Sequence, residues 1–132
     1  MTEETTRDKG MRGEAIARDW LLKRGYNVVC RNFNAYHGEI DIIADNETYI
    51  VFVEVKFRYK RASLGKYGRP GAAVNSFKRR HFVMAANAYM AKYRPKKRPR
   101  IDVIEIVADD VSAPGCVICE INHIENAFGR KG

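Results

Sequence analysis

The sequence predicts an α/β domain in which a small mixed β-sheet is flanked by helices, in the element order α-β-β-β-α-β-β. Two observations carry this prediction. The chain has 132 residues, which is the length of one domain and short for two. Apolar residues recur at helical spacing in two segments, and they alternate as in strands in the segments between and after them. We expect one domain over residues 1–128, followed by a loose tail at residues 129–132.

Each element has its own signal in the sequence. The first helix is predicted at residues 7–24, and Gly25 suits the left-handed position that ends a helix. The second helix is predicted at residues 71–93, with Phe77 and Met84 in its apolar stripe. The strands are predicted at residues 27–33, 39–44, 48–57, 101–107 and 116–121.

Positive charge is concentrated in the middle of the chain. Residues 55–100 contain 15 Lys and Arg and no Asp or Glu, whereas the formal net charge of the whole chain is +8. This segment includes a predicted loop at residues 58–70 and a basic connector at residues 96–100, and aromatic residues are interleaved with its cations. Such a surface favours nucleic acid over a membrane, because the basic helix carries small residues rather than a bulky apolar face. The alternative is a solvated basic face whose aromatic residues belong to the core.

Cysteine content and apolar run length bear on the compartment. Three cysteines, Cys30, Cys116 and Cys119, cannot all pair within one chain, which favours a reducing cytoplasm. The longest apolar runs, such as residues 50–53, are too short to span a bilayer, and the first residues do not resemble a secretory signal. We therefore expect a cytoplasmic protein. Cys116 and Cys119 are spaced as CxxC, but residues three apart on a strand point to opposite faces, which favours ordinary core cysteines.

Charged side chains occupy one face of the predicted third strand. Glu54 and Lys56 are two residues apart and therefore project from the same face, which is otherwise apolar. Asp41 lies on the neighbouring strand of the hairpin. If the turn is centred on residues 45–47, Asp41 lies opposite residues 48–52 and approaches Glu54 diagonally. Two carboxylates and an ammonium group are thus expected close together.

Two further acids belong to this group. Glu39 shares the strand face of Asp41, and Glu14 has the helical spacing of the inward-facing Ala17 and Leu21. Carboxylates held together in a half-buried place repel one another unless a cation neutralises them. Oxygen ligands with room for water suit Mg²⁺ or Mn²⁺ rather than zinc, and such an ion polarises a phosphate oxygen and activates water.

Each residue also has an ordinary explanation. Glu54 with Lys56 is then a surface ion pair, Glu14 a helix-surface residue and Asp41 a strand-edge charge that discourages aggregation. Taken together beside the basic segment, the four groups favour a site.

Asp41, followed after a hairpin-length gap by Glu54-Val55-Lys56 and preceded by Glu14 in a helix, resembles the pattern of the PD-(D/E)xK nuclease superfamily, particularly archaeal Holliday-junction resolvases. The residue before Asp41 is Ile40 rather than the proline of the superfamily label. Over nearly the whole chain the sequence resembles the YraN family of small bacterial proteins. The matching stretches are GEAIA at 13–17, GEIDIIA at 38–44, VFVEVKFR at 51–58, the helix at 78–89 and RIDVI at 100–104.

The resemblance implies a restriction-endonuclease-like fold, a mixed β-sheet flanked by helices. It implies that Asp41 and Glu54 bind the metal, that Lys56 is catalytic and that Glu14 assists, while Glu39 is an additional acid that shares or competes for the metal. Because junction resolvases work as symmetric dimers, it also implies a homodimer.

We therefore expect a Mg²⁺- or Mn²⁺-dependent endonuclease that hydrolyses phosphodiester bonds in DNA. The resemblance favours branched or junction DNA, and RNA is the alternative nucleic acid. Two alternatives stay open, a non-catalytic nucleic-acid-binding module of the same fold and a scaffold that binds an acidic protein. The cations expected to contact the phosphate backbone are Arg58, Lys60, Arg61, Lys66, Lys78, Arg79 and Arg80.

Overall fold

The observed elements follow one another in the order that the sequence predicts. The computed structural model describes residues 6–59, 76–108 and 118–128. Its elements are α1 (Thr6–Lys23), β1 (Asn27–Ala35), β2 (Gly38–Asp45), β3 (Tyr49–Tyr59), α2 (Ser76–Tyr93), β4 (Arg98–Ala108) and β5 (Ile118–Ile124). The predicted α/β class and the order α-β-β-β-α-β-β are therefore confirmed. The predicted loop from residue 60 onward, residues 71–75 of the predicted helix and the tail at 129–132 lie outside the described residues.

The strands form one mixed sheet in the order β1-β2-β3-β4-β5. The first three strands are an antiparallel meander, and β4 lies parallel to β3. A parallel pair requires a crossover connection, and α2 lies within the connection from β3 to β4. The strand β5 returns antiparallel to β4. The sheet is mixed because only the β3–β4 neighbours share a direction, which agrees with a restriction-endonuclease-like architecture.

Each face of the sheet packs against one helix. On one face, Ala17 and Leu21 of α1 contact the buried side chains of Val51 and Val53. On the other face, residues of α2 such as Phe82 pack with the strand residues that alternate with these, such as Ile50 and Phe52. The alternation predicted for β3 is therefore confirmed. The α2 face of β3 carries Ile50, Phe52, Glu54 and Lys56.

The inner stripe of α2 differs from the predicted one. The buried side chains are Phe82, Ala85, Ala86 and Tyr89, whereas Phe77 is 67% exposed and Met84 is 40% exposed. The reason is that the helix covers only the apolar part of its sheet face, around Phe52. Its first turns extend past this apolar part, so helical periodicity alone placed Phe77 in the core wrongly.

The strand β4 begins, and β5 ends, at a residue other than the predicted one. The ladder with β3 starts at Arg98, so residues 98–100 of the segment predicted as a basic connector are already strand. Pro99, which has no N–H, is tolerated because β5 pairs with β4 only from Val103 onward and leaves that side of β4 without a strand in the described residues. The strand β5 extends to Ile124, three residues beyond the predicted end, because its pairing with β4 continues to Val103.

A fully buried acid, Asp102, joins β4 to β5 and to the turn that follows β5. Its Oδ1 accepts hydrogen bonds from Arg100 Nε at 2.9 Å and from the Asn126 backbone N–H at 3.0 Å. Its Oδ2 accepts from Arg100 at 2.9 Å and from His123 Nε2 at 2.7 Å. The carboxylate is thus surrounded by donors, as a buried charge requires.

The same network reaches α1 through His123. The Trp20 indole, which is only a donor, lies 3.2 Å from His123 Nδ1, so this nitrogen is an acceptor and Nε2 carries the proton that Asp102 accepts. Arg100 also donates to the Tyr26 hydroxyl at 2.6 Å. Burial raises the pKa of Asp102, but the hydrogen bonds from His123, Arg100 and Asn126 outweigh it and leave the pKa below its ordinary value.

We predict that Asp102→Asn lowers the free energy of unfolding by about 3–5 kcal/mol at neutral pH, because it leaves the buried Arg100 guanidinium without its counter-charge. Chemical denaturation measures this loss. In the wild-type protein, the ionised Asp102 should contribute to stability at pH values above its ordinary pKa. This contribution should be lost as the pH falls below about 4, because the pKa of Asp102 is lower in the folded state than in the unfolded state.

The matched control is Glu125→Gln, which removes an acid 3.9 Å from the same guanidinium but with 60% of its side chain exposed. We expect a change within about 0.5 kcal/mol. Equal losses from the two substitutions would contradict the assignment of Asp102 as the acid that holds this network together.

Candidate functional site

The strand β2 is irregular where it carries Asp41. Ile42 packs on the α1 face of the sheet, but both Ile40 and Ile43 pack on the α2 face, which strict alternation forbids. The facing strand has its own irregularity, since Asn32 has a positive φ of 54°. The β1–β2 register places Asn32 next to the position of Asp41. The regular alternation of side chains between the two faces of the sheet is therefore broken at Asp41.

The hairpin register differs from the predicted one. Asp45 pairs with Ile50 and the ladder ends at Ile42–Val53, so Asp41 continues it beside Glu54 rather than opposite residues 48–52. The side-chain oxygen of Asn46 fixes the shifted turn, because it accepts the backbone N–H groups of Thr48 and of Tyr49, the first residue of β3, at 2.9 and 2.7 Å. This side-chain cap moves the turn toward β3 and brings the two acids closer than expected.

A hydrogen bond from β3 anchors Asp41 at the point where β2 and β3 separate. Its Oδ2 accepts the backbone N–H of Val55 at 2.8 Å. Burial raises the pKa of Asp41, the Val55 hydrogen bond opposes this, and the negative charges of Glu39, Glu54 and Glu14 raise it further, to about 6. Three acids from three different elements therefore act on one carboxylate.

On β3, Glu54 is the register neighbour of Asp41, and Lys56 lies beside Glu54. Their side chains are 12% and 10% exposed, and Lys56 Nζ lies 4.0 Å from Glu54 Oε2. Burial lowers the pKa of Lys56 most, the charges of Arg58 and Lys78 lower it too, and Glu54 and Glu105 oppose them. The ammonium group is thus held in a partly dehydrated place beside the acids, where its charge acts strongly.

The two remaining predicted acids are placed differently from each other. Glu14 has a side chain 15% exposed, with Oε2 at 3.6 Å from Arg31 and 3.9 Å from Arg18. Glu39 is exposed on β2 and acts on Asp41 through its charge. Glu14 therefore faces the site with neighbouring cations of its own, whereas Glu39 lies at its solvent side.

The structure also reveals a residue that the sequence analysis missed. Glu105 of β4 is 3% exposed and pairs in register with Lys56. Its Oε2 lies 3.2 Å from Arg58 Nε, and Asn122 donates to its Oε1 at 3.1 Å. A signal was available, since a charged residue between Ile104 and Ile106 of a core strand requires a partner.

The predicted phosphate-binding cations fall into three groups. Arg58 is mostly buried and ion-paired with Glu105. Lys78, Arg79 and Arg80 are exposed in the first turns of α2, and the charge of Lys78 reaches Lys56. The other three, Lys60, Arg61 and Lys66, lie outside the described residues.

Neither a ready-made metal cluster nor a membrane-spanning helix occurs among the described residues. Within those residues, no group of three or more His, Cys, Asp and Glu side chains is arranged to hold a metal ion. None of the helices that the structure describes is long and apolar enough to cross a membrane.

Residues 13–106 match the model of a family described as "Uncharacterised protein family UPF0102". Several relatives are named "UPF0102 protein". One from Geotalea uraniireducens is 43% identical over 120 residues, covering 90% of this chain and 87% of the relative. One from Caldanaerobacter subterraneus subsp. tengcongensis is 38% identical over 120 residues, covering 90% and 93%. One from Clostridium kluyveri is 45% identical over 102 residues, covering 76% and 80%.

We predict that Asp41→Asn stabilises the metal-free protein at pH 7.5 by about 1–3 kcal/mol. The folded-state pKa of about 6 is above the ordinary value of 3.8, so the charged form of Asp41 opposes folding. The asparagine oxygen still accepts the Val55 N–H. The gain should be full above pH 6 and disappear as the pH falls toward 4, where Asp41 is protonated in both states.

Denaturation at several pH values in EDTA measures this gain. Asp19→Asn is the control, because Asp19 has a side chain 63% exposed and lies on the outer side of α1. If Asp41→Asn stabilises the protein equally at pH 4 and pH 7.5, or destabilises it at pH 7.5, the charge of Asp41 does not destabilise the folded state.

Proposed function

Because this chain belongs to the uncharacterised family UPF0102, we propose its function from its own geometry: a divalent-metal-dependent nuclease that hydrolyses phosphodiester bonds in DNA. One observation carries the proposal. Burial raises the pKa of Asp41 to about 6, the charges of acids from α1, β2 and β3 add to this rise, and Lys56 lies beside one of those acids, Glu54. Perturbed carboxylates grouped with a partly buried amine are typical of catalytic sites.

The donor set fits Mg²⁺ or Mn²⁺. The acids around Asp41 offer only oxygen, and a cation would relieve the repulsion that raises its pKa. In this proposal Asp41 and Glu54 hold the ion, while Glu14 and Glu39 add negative potential. A protein cage of three ligands is not required, since Mg²⁺ usually keeps several waters and takes one or two carboxylates plus substrate phosphates. The bound ion supplies Lewis-acid stabilisation of charge on the phosphate.

The side chains of the protein supply the rest of the chemistry. The Val55 N–H fixes the direction of the Asp41 carboxylate. Lys56, 4.0 Å from Glu54, is positioned to donate hydrogen bonds to a phosphate oxygen as negative charge develops on it. The exposed Lys78, Arg79 and Arg80 at the start of α2 would attract the phosphate backbone toward these groups.

A non-catalytic nucleic-acid-binding module is the second candidate. The observation that favours it is that the described residues hold no group of three or more metal-ligating side chains. In that case the acids destabilise the fold without taking part in chemistry, and the exposed cations of α2 alone account for binding.

We predict that the purified protein cuts DNA only when Mg²⁺ or Mn²⁺ is present. A panel of junction, flap, single-stranded and linear duplex substrates, resolved on denaturing gels, measures cutting and its preference. Lys56→Ala and Asp41→Asn should each lower the cutting rate by about a hundredfold or more, because they remove charge stabilisation and a metal ligand. DNA binding, measured in EDTA, should change by less than about threefold.

The control is Lys23→Ala, which removes an exposed lysine paired with Asp19 at the far end of α1 and should cut like the wild type. Binding without cutting under every divalent ion would favour the module. Absence of salt-dependent DNA binding would instead favour a scaffold for an acidic protein. Cutting that survives in Lys56→Ala would point to a contaminating nuclease.

A further inference from the structure

Two aromatic side chains, Tyr36 and Phe77, project into solvent at one corner of the protein. Tyr36 is 63% exposed and Phe77 is 67% exposed. Two histidines accompany them, since the His81 ring lies 4.2 Å from Phe77 and 6.2 Å from His37. We call Tyr36, His37, Phe77 and His81 the hairpin-tip cluster. Exposed rings grouped in this way mark an interaction surface more often than single exposed rings do.

The backbone of the turn between β1 and β2 is strained by the residues that form it. Ala35 pairs with Gly38, so the loop has two residues, and both have positive φ, 51° at Tyr36 and 63° at His37. This is the geometry of a type I′ turn, for which Asn-Gly is preferred. Bulky side chains are disfavoured in the left-handed region. The fold alone does not require an aromatic pair at these two positions.

The cluster is fixed against α2 rather than carried on a loose loop. A Cβ atom at Gly38 would overlap the carbonyl oxygen of His81, so the hairpin backbone lies directly on the helix. His81 Nδ1 lies 2.9 Å from the carbonyl oxygen of Phe77, which only accepts, so Nδ1 donates and the ring orientation is fixed. The rings therefore form a pre-arranged surface.

The cluster lies near both the cations of α2 and the candidate site. Lys78, Arg79 and Arg80 follow Phe77 directly and are exposed. Along β2, Asp41 is three residues from Gly38, which corresponds to about 10 Å of strand. Three base steps of duplex DNA span about the same length at about 3.4 Å each, and an unstacked, more extended strand covers it in fewer steps. A strand whose phosphate reached Asp41 would therefore carry nearby bases to the cluster.

Exposed aromatic faces beside cations are the surface on which unpaired bases stack. Bases inside a duplex are already stacked and do not reach such a surface. We propose that the hairpin-tip cluster stacks unpaired bases next to the candidate site, so that the protein selects DNA with a single-stranded segment. This inference rests on the proposed function for its location, but base stacking itself needs neither metal nor cutting.

The experiment measures binding by fluorescence anisotropy in EDTA, with a labelled 20-nucleotide single strand and its duplex as probes. The main variant is Tyr36→Asn with His37→Gly, which installs the preferred turn residues. It should raise the melting temperature by a few degrees because the turn strain is relieved. It should also weaken single-strand binding by about tenfold or more, while duplex binding changes by less than about threefold.

Two further variants separate stacking from other effects. Phe77→Ala should weaken single-strand binding in the same selective way. Tyr93→Ala is the matched control, since Tyr93 is an aromatic residue of α2 that is 54% exposed at the other end of the helix. Its single-strand affinity should stay within about twofold of the wild type.

The proposal is overturned if the wild type binds duplex as tightly as the single strand, or if the turn variant keeps its single-strand affinity. Equal weakening for both probes also overturns it, because that indicates a general phosphate contact. These failures are distinct from failure of the proposed function: a protein that cuts duplex DNA with Mn²⁺ but shows no single-strand preference keeps the nuclease proposal and loses this one.

Discussion

The hydrogen bond from the Val55 N–H to the Asp41 carboxylate is the contact on which the candidate site depends. This bond occurs where the β2–β3 ladder ends. The Asp41 side chain therefore accepts an N–H group that would otherwise bond to a backbone carbonyl of the neighbouring strand. The bond holds the carboxylate close to Glu54 although burial and neighbouring acids oppose its charge. The protein thus retains a repulsive arrangement that a stability-optimised sequence would avoid, which is common at functional sites.

The two faces of the sheet differ in where they are polar. At β3 the α1 face is apolar, with Val51 and Val53 in one cluster with Leu21, whereas at β4 it carries the Asp102 network, which reaches Trp20 of α1 through His123. The α2 face is apolar only around Phe52, and beyond it carries Glu54, Lys56 and, on the next strand, Glu105. Because α2 packs on the apolar part, its basic first turns extend beside the charged part. The Asp102 network supplies stability away from these groups.

Some of this arrangement was predictable from the sequence, for physical reasons. The alternation in residues 49–57 fixes which side chains share a face, so the pairing of Glu54 with Lys56 could be predicted. The exact partner of Asp41 could not, because it depends on the cap by Asn46 and on the irregular backbone at Asn32. The exposure of Phe77 was not predictable either, since helical periodicity does not reveal how far a helix extends past the sheet that it covers. The role of His123 was not predictable, because its partner Asp102 lies on β4 and only the pairing of β5 with β4 brings the two residues together.

The acids around Asp41 are expected to form one cation site, and calorimetric titration of Mn²⁺ into the metal-free protein at pH 7.5 tests this most directly. We expect one ion per chain for the wild type and for Asp19→Asn, and binding weakened by about tenfold or more in both Asp41→Asn and Glu54→Gln. A wild type that binds no ion, or variants that bind it as tightly as the wild type, would contradict the assignment of this site.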